Sequence, residues 1–139
     1  MSKLQSMGVC AILVNSPGKV LVGKRKNSYK SGSYGFPGGR IEFNEPILAA
    51  ITREVEEETG LTVVNFQYVG VVRETQEELE FIHFVYTADV GDAVPELCEA
   101  DKCEGWEWHS VEDLPAATLP GHRTAAQLFL NHELIADLV

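Results

Sequence analysis

Residues 39–61, GRIEFNEPILAAITREVEEETGL, decide how the rest of the chain is read. At about 100° per residue, a helix over residues 46–59 sets Ile47, Ile51 and Val55 on one stripe, and Glu54 and Glu58 fall on that same stripe. Glu57 lies one step round, close enough for all three carboxylates to converge, while Glu56 points to the opposite side. Like charges at the end of an apolar stripe repel and are costly to bury unpaired, so a cation belongs beside them. Arg53 brings one positive charge against three negative ones. A divalent metal is the natural remaining counter-charge, and hard oxygen ligands suit Mg²⁺ or Mn²⁺ rather than zinc. Asn44 or Glu45 caps the helix, Pro46 fits its first turn, and Gly60 stands where a helix stops in a left-handed residue. Ahead of it, Phe36-Pro37-Gly38-Gly39 lets backbone come close to an ion or a phosphate.

Gly39, five residues, Glu45, seven residues and then Arg53-Glu54-Val55-Glu56-Glu57-Glu58-Thr59-Gly60-Leu61 resembles the Nudix box at every specified position. A long pattern with all its fixed positions filled is far more specific than a lone glycine motif. The resemblance implies a loop-helix-loop that binds Mg²⁺ and hydrolyses a nucleoside diphosphate linked to a further group. It implies Glu54, Glu57 and Glu58 as metal ligands, the Gly39 carbonyl as a fourth, and a Glu45–Arg53 ion pair holding the loop on the helix. Glu42 matches an acidic position ahead of the first box glutamate.

At 139 residues, with 45% hydrophobic and 23% charged residues, the chain has the size and composition of one globular domain. It shows no internal repeat, no linker, no apolar run that spans a bilayer and no signal-peptide core, which predicts a single domain over residues 1–139 in the cytoplasm. Cys10, Cys98 and Cys103 form no CxxC pair, so reduced thiols are expected rather than a disulfide framework or a zinc site. Net charge is −10, which argues against a nucleic acid duplex or an anionic membrane as partner. Residues 1–40 hold seven basic residues and no acid, +7, leaving 4 basic against 21 acidic residues, or −17, for the remainder. A basic segment running into an acidic helix suits a polyphosphate ligand; a solvated basic strand is the competing reading.

Residues 8–14 read as a buried strand, 15–18 as a turn and 19–25 as the returning strand of a hairpin whose end is basic. Of Lys24, Arg25 and Lys26, alternation on a strand lets only one or two reach a site. Residues 27–35 read as a loop, where Tyr34 and Tyr29 line a base pocket or cover the core edge, Tyr29 the latter. After a short extended run at 61–65, strands at 66–73 and 79–90 form a second hairpin about a polar tip at 74–78. His83 falls mid-strand as a core or pocket-wall histidine satisfied by a neighbour. Residues 91–102 read as a mobile acidic loop and 106–108 as the final strand. Ser110 to Asp113 has the form of a capping box that opens a short helix ending near Pro115. A last helix over 121–138 buries Ala125, Leu128, Phe129, Leu134 and Leu138. Strands around a helix, then a terminal helix, give an α/β/α sandwich around a mixed β-sheet, which agrees with the Nudix-type fold.

Phosphoanhydride hydrolysis needs charge neutralisation, an activated water and a placed leaving group. In the family a further carboxylate serves as base or extra ligand, and Glu57 and Glu104 are the candidates here. Arg25 and Arg40 are the candidate phosphate clamps, with packing on the loop as the other reading of Arg40. Beyond the box, Gly23-Lys24-Arg25-Lys26, residues 32–39 and Lys102-Cys103-Glu104-Gly105-Trp106-Glu107-Trp108 are similar to the MutT-related nucleoside-triphosphate pyrophosphatases, including members acting on oxidised or thio-modified guanine nucleotides. That resemblance spans residues 8–115. It implies a nucleoside monophosphate and pyrophosphate as products, a base pocket near Leu119 to Arg123 and Tyr34 to Phe36, and a homodimer. The box does not encode the second group, so a nucleotide-sugar or dinucleotide pyrophosphatase is the alternative, and a non-catalytic nucleotide-binding sensor is another.

Overall fold

The computed structural model describes residues 4–27 and 30–139, in which eight strands form one mixed sheet with a helix on each face. The reading of Tyr29 lies outside the described residues. β1 (Leu4–Asn15) starts largely exposed, but from Val9 to Leu13 it is wholly apolar and buried because both its faces are covered there. Val9, Ala11 and Leu13 join one core cluster, while Cys10 and Ile12 join the other. The chain turns where the Lys19 N–H donates to the Asn15 side chain at 2.8 Å and returns as β2 (Val20–Arg25).

β1 and β2 pair beside this turn, Val14 with Val20, and part beyond it. Into the wedge between them fit β3 (Tyr34–Gly35), antiparallel to β2, and β4 (Gly38–Arg40), antiparallel to β1. Phe36 and Pro37 cross from one to the other, and the Pro37 carbonyl accepts the Ala11 N–H at 2.8 Å. The segment leading into the acidic helix therefore lies inside the sheet.

β5 (Gln67–Gln76) and β6 (Leu79–Gly91) form the second hairpin, and β6 runs parallel to β1 along its whole length. β7 (Cys103–His109) pairs with the outer side of β2. On one face α1 (Ile47–Thr59) buries Ala50, Ile51, Val55 and Thr59; on the other α2 (Pro120–Asn131) buries Gly121, Ala125, Ala126 and Leu128. The α/β/α sandwich around a mixed sheet is as expected. No helix of the described residues is long and apolar enough to cross a membrane.

Several boundaries differ from expectation. The last helix stops at Asn131, where His132 takes a left-handed φ of 55°, and the chain continues as β8 (Ile135–Leu138), parallel to β5 at the sheet edge. Leu134 and Leu138 are 64% and 37% exposed, so they do not extend the buried stripe. A four-residue stretch is too short to set a period of its own, and the open edge of β5 captures it. Residues 110–115 form turns, with the Asp113 N–H donating to the Ser110 carbonyl, because Pro115 leaves no length for a helix. The hairpin tip is only Glu77 and Glu78; Glu74 to Gln76 belong to β5, and Glu74 is buried. Pro46, in extended conformation, is the N-cap of α1, where Asn44 or Glu45 was expected. Glu45 is turned instead to Arg53. Gly60, at φ 75°, ends α1 as expected.

Candidate functional site

The split between β1 and β2 opens into a cavity of about 360 Å³ lined by Gly23, Lys24 and Arg25 of β2, by Gly35, Phe36, Gly38 and Gly39, and by Glu54, Glu57 and Glu58 of α1. Glu99, Lys102, Cys103 and Trp106 complete it. Four carboxylates and three cations thus share one wall, the charge distribution that an anion bridged to a metal requires. A wider depression on the outer side of α1 is lined by Ala49, Thr52, Arg53, Glu56 and Glu57 of that helix alone, and one helix face cannot enclose a ligand.

Arg53 organises the acidic helix. Its Nε and Nη2 donate to the two Glu45 oxygens at 2.7 and 2.9 Å, a bidentate pair across eight residues. Nη2 also donates to the Arg40 carbonyl at 3.1 Å, and Nη1 to Glu54 at 3.0 Å and Glu57 at 3.2 Å. Glu42 stands 3.7 Å from Nη1. The bond from Arg53, and then the Glu42 N–H, hold the Glu45 carboxyl down at about 2. Loop and helix are tied together by this one guanidinium.

Glu58 faces inward. Its carboxylate accepts the Gly38 N–H at 3.0 Å, and its carbonyl accepts the Trp106 indole N–H at 3.3 Å. The Glu54 and Glu58 carboxyls stand close enough to share a hydrogen bond, and burial pushes both upward, Glu54 adding to the rise of Glu58. Gly39 is pressed against Glu54: a Cβ built there would lie 2.5 Å from the carboxyl carbon, so no larger residue fits without displacing the carboxylate.

The donor chemistry suits a divalent cation. Burial and mutual repulsion disfavour charge on Glu54 and Glu58, Arg53 offsets this only at Glu54, and every group offered is a hard oxygen, so a further positive charge is accommodated. Among the described residues, no three acidic, histidine or cysteine side chains are already drawn together as a ligand set. Glu57 is the half-exposed third carboxylate: Arg53 Nη1 bridges it to Glu54, at 3.2 and 3.0 Å, where a metal would have to compete.

The remaining sequence candidates divide. Lys24 and Arg25 reach the cavity and Lys26 does not line it, while Phe36 is buried at its back. Glu104 pairs with Lys24 at 3.6 Å outside the lining, and Glu99, five residues earlier, takes the inner place. Arg40 is exposed and contributes only its carbonyl. Tyr34 bonds Glu107 at 3.4 Å and sets its ring edge-on to His109, away from the lining. The Leu119 N–H donates to the Tyr34 carbonyl, and Arg123 donates to the Pro115 and Ala116 carbonyls. Neither lines the cavity.

His122, Glu99 and Lys102 were not read as site residues, and the reading of His83 needs correction. The Phe36 N–H donates to His122 Nδ1 at 2.8 Å, and the two rings stack 5.8 Å apart at 5°. His83 is not satisfied as expected: its buried Nε2 has no hydrogen-bond partner and lies 3.7 Å from buried Glu74. A lone His beside a Pro-Gly helix start is a weak local signal for His122. Glu74 and His83 meet only through strand pairing, which leaves no local signal.

A sequence model of the NUDIX domain matches residues 4–129. The oxidized purine nucleoside triphosphate hydrolase of Danio rerio is 30% identical over 112 residues, covering 75% of this chain and 66% of that protein. The ADP-ribose pyrophosphatase of Methanocaldococcus jannaschii is 30% identical over 105 residues, covering 74% and 61%. The chain thus spans less than two thirds of the length of either relative. The crystal structure of a MutT NUDIX hydrolase from Burkholderia pseudomallei superposes with a TM-score of 0.83 at 29% identity, covering 91% of this chain and 98% of that one. By the residues matched, by the fold and by the box geometry, the chain belongs to the NUDIX domain family, among its MutT-related members.

Proposed function

We propose that the protein is a Mg²⁺-dependent pyrophosphohydrolase that cleaves nucleoside triphosphates, modified purine nucleotides among them, to a nucleoside monophosphate and pyrophosphate. The observation that carries this reading is the shared cavity lining, which brings Glu54, Glu57, Glu58 and Glu99 together with Lys24, Arg25 and Lys102. Three cations in one cleft suit a ligand with several phosphate charges. Glu54, Glu58 and the Gly39 carbonyl would hold the metal, with Glu57 joining when it leaves Arg53. Bound there, the ion would neutralise phosphate charge and acidify a water beside the phosphorus. Lys24 and Arg25 orient the phosphates, and Gly38 fixes the Glu58 carboxylate through its N–H. Glu57 and Glu99, which line the cavity, are the proposed carboxylates to take a proton from water; Glu104 lies outside the lining, 3.6 Å from Lys24.

The similarity to MutT-related members further supports one domain, active in the cytoplasm as a homodimer, which sedimentation of the purified protein checks. ADP-ribose is the second substrate to test, because the pyrophosphatase named for it matches at the same 30% identity. The decisive measurement is release of pyrophosphate against phosphate, with Mg²⁺, across ordinary and modified nucleoside triphosphates, nucleotide sugars and dinucleotides. Pyrophosphate from triphosphates is expected. Cleavage of only ADP-ribose or a nucleotide sugar would reassign the substrate, and tight nucleotide binding without turnover would make the protein a sensor.

A further inference from the structure

The box reaches Arg53 and Glu58 through its own residues, yet the strand that delivers Gly38 to Glu58 is held from the other side of the sheet. Phe36 lies between β3 and β4, where its N–H has no strand partner, and a buried N–H left unpaired is costly. His122 of α2 supplies the acceptor. Its ring also stacks on the Phe36 ring and lies close under Gly35, where an added Cβ would come within 3.0 Å of the imidazole. Two residues beyond Phe36 the Gly38 N–H meets the Glu58 carboxylate, and the next residue presses on Glu54.

We infer that His122 is a positioning residue, which fixes Phe36 through Nδ1 so that Gly38 and Gly39 are set against Glu58 and Glu54. An acceptor at Nδ1 must be unprotonated, so the ring proton sits on Nε2. Burial, with His83 and Arg25 adding to it, holds His122 down to about 3, which keeps that acceptor available at any neutral pH. His122 touches no box carboxylate. Its effect passes through three backbone residues, in which a small misplacement is costly to a reaction that depends on geometry.

Two substitutions separate positioning from packing. His122→Leu fills the space without an acceptor, whereas His122→Asn places an amide oxygen near where Nδ1 stood. Hydrogen exchange at the Phe36 and Gly38 amides should quicken roughly tenfold in His122→Leu, the size expected for one lost hydrogen bond, and return toward wild type in His122→Asn. Turnover should fall about 10- to 100-fold in the leucine variant with KM nearly unchanged, and the asparagine variant should recover most of it. Equal loss of kcat in both variants, or unchanged Gly38 exchange in His122→Leu, overturns the inference. Nitrogen chemical shifts of His122 in the unaltered protein need no variant to fold: a protonated Nδ1 overturns it as well. The kinetic readout rests on the proposed hydrolase activity, but the exchange and tautomer readouts do not. Absent turnover with the expected exchange pattern would overturn the activity and leave the positioning role standing.

Discussion

α1 and α2 cover opposite faces of one sheet and converge on Phe36 to Gly39, but they manage their polar groups in opposite ways. α1 carries charges and balances them locally, with Arg53 serving Glu45, Glu54 and Glu57 and the Gly38 N–H serving Glu58. α2 presents His122 to a neighbourhood that holds imidazoles neutral, and burial also lowers His83 there. The first arrangement prepares a site for a cation and suits phosphate chemistry; the second fixes backbone without adding charge. One side of the cleft can therefore change its protonation while the other holds its shape.

The largest test of this contrast is Glu58→Gln. Glutamine keeps an oxygen for the Gly38 N–H and removes a carboxyl that burial makes costly to ionise. Turnover should fall roughly 100-fold or more, while the melting temperature stays level or rises. Lost stability together with retained turnover would mean that Glu58 serves the fold rather than the reaction.

Arg53→Ala probes the charge balance itself. Removing the guanidinium strands Glu45, Glu54 and Glu57 together, and its side chain is only 25% exposed. Breaking a fully buried pair costs about 3–5 kcal/mol; discounted for partial solvent screening, a loss of about 2–3 kcal/mol is expected from denaturant unfolding. An unchanged midpoint would count against the idea that one arginine ties the loop to the helix.

The neutral imidazole on the α2 side gives a smaller, pH-dependent signal. His122 binds its proton in the unfolded chain near pH 6.5 but in the folded protein only near 3. Between those values the unfolded state holds the additional proton, so stability falls as pH drops, by about 1.4 kcal/mol per unit. From pH 6.5, where the unfolded ring is half protonated, to pH 5, His122→Asn should thus lose about 1.6 kcal/mol less than wild type. His83 contributes in the same direction in both proteins, so only the difference between their pH profiles reports His122. Parallel profiles would show that the ring takes up its proton alike in the folded and unfolded chain.

The two helices also differ in how far they could be read from sequence. In α1 the chemistry is written along the chain: the inward Glu54 and Glu58 follow from helical spacing, Gly60 marks the stop, and the Glu45–Arg53 pair, which joins the loop to the helix, was legible through the resemblance of the box. The α2 side depends on contacts between distant residues. Glu74, His83 and His122 meet only after β5 pairs with β6 and α2 docks on them. Glu99 and Glu104 are equivalent as letters in an acidic loop, and only the path of that loop places the first in the cavity and gives the second to Lys24. The error at residues 132–138 has the same origin. Leu134 and Leu138, four apart, imitate one helix face, whereas in β8 it is Ala136 that packs on the core.

That strand gives the smallest expected effect. β8 is held to β5 by a parallel backbone ladder from Val71–Ile135 to Glu74–Leu138, and beside it Arg73 Nε lies 3.1 Å from an Asp137 oxygen. Both side chains are about half exposed, so water and salt screen the pair, and Asp137→Asn should cost no more than about 1 kcal/mol. The small cost should vanish in high salt if the ladder does the holding. A larger, salt-resistant loss would show that charge fixes this edge too, and the division between a charged α1 side and an α2 side held by packing and neutral hydrogen bonds would then stop short of β8.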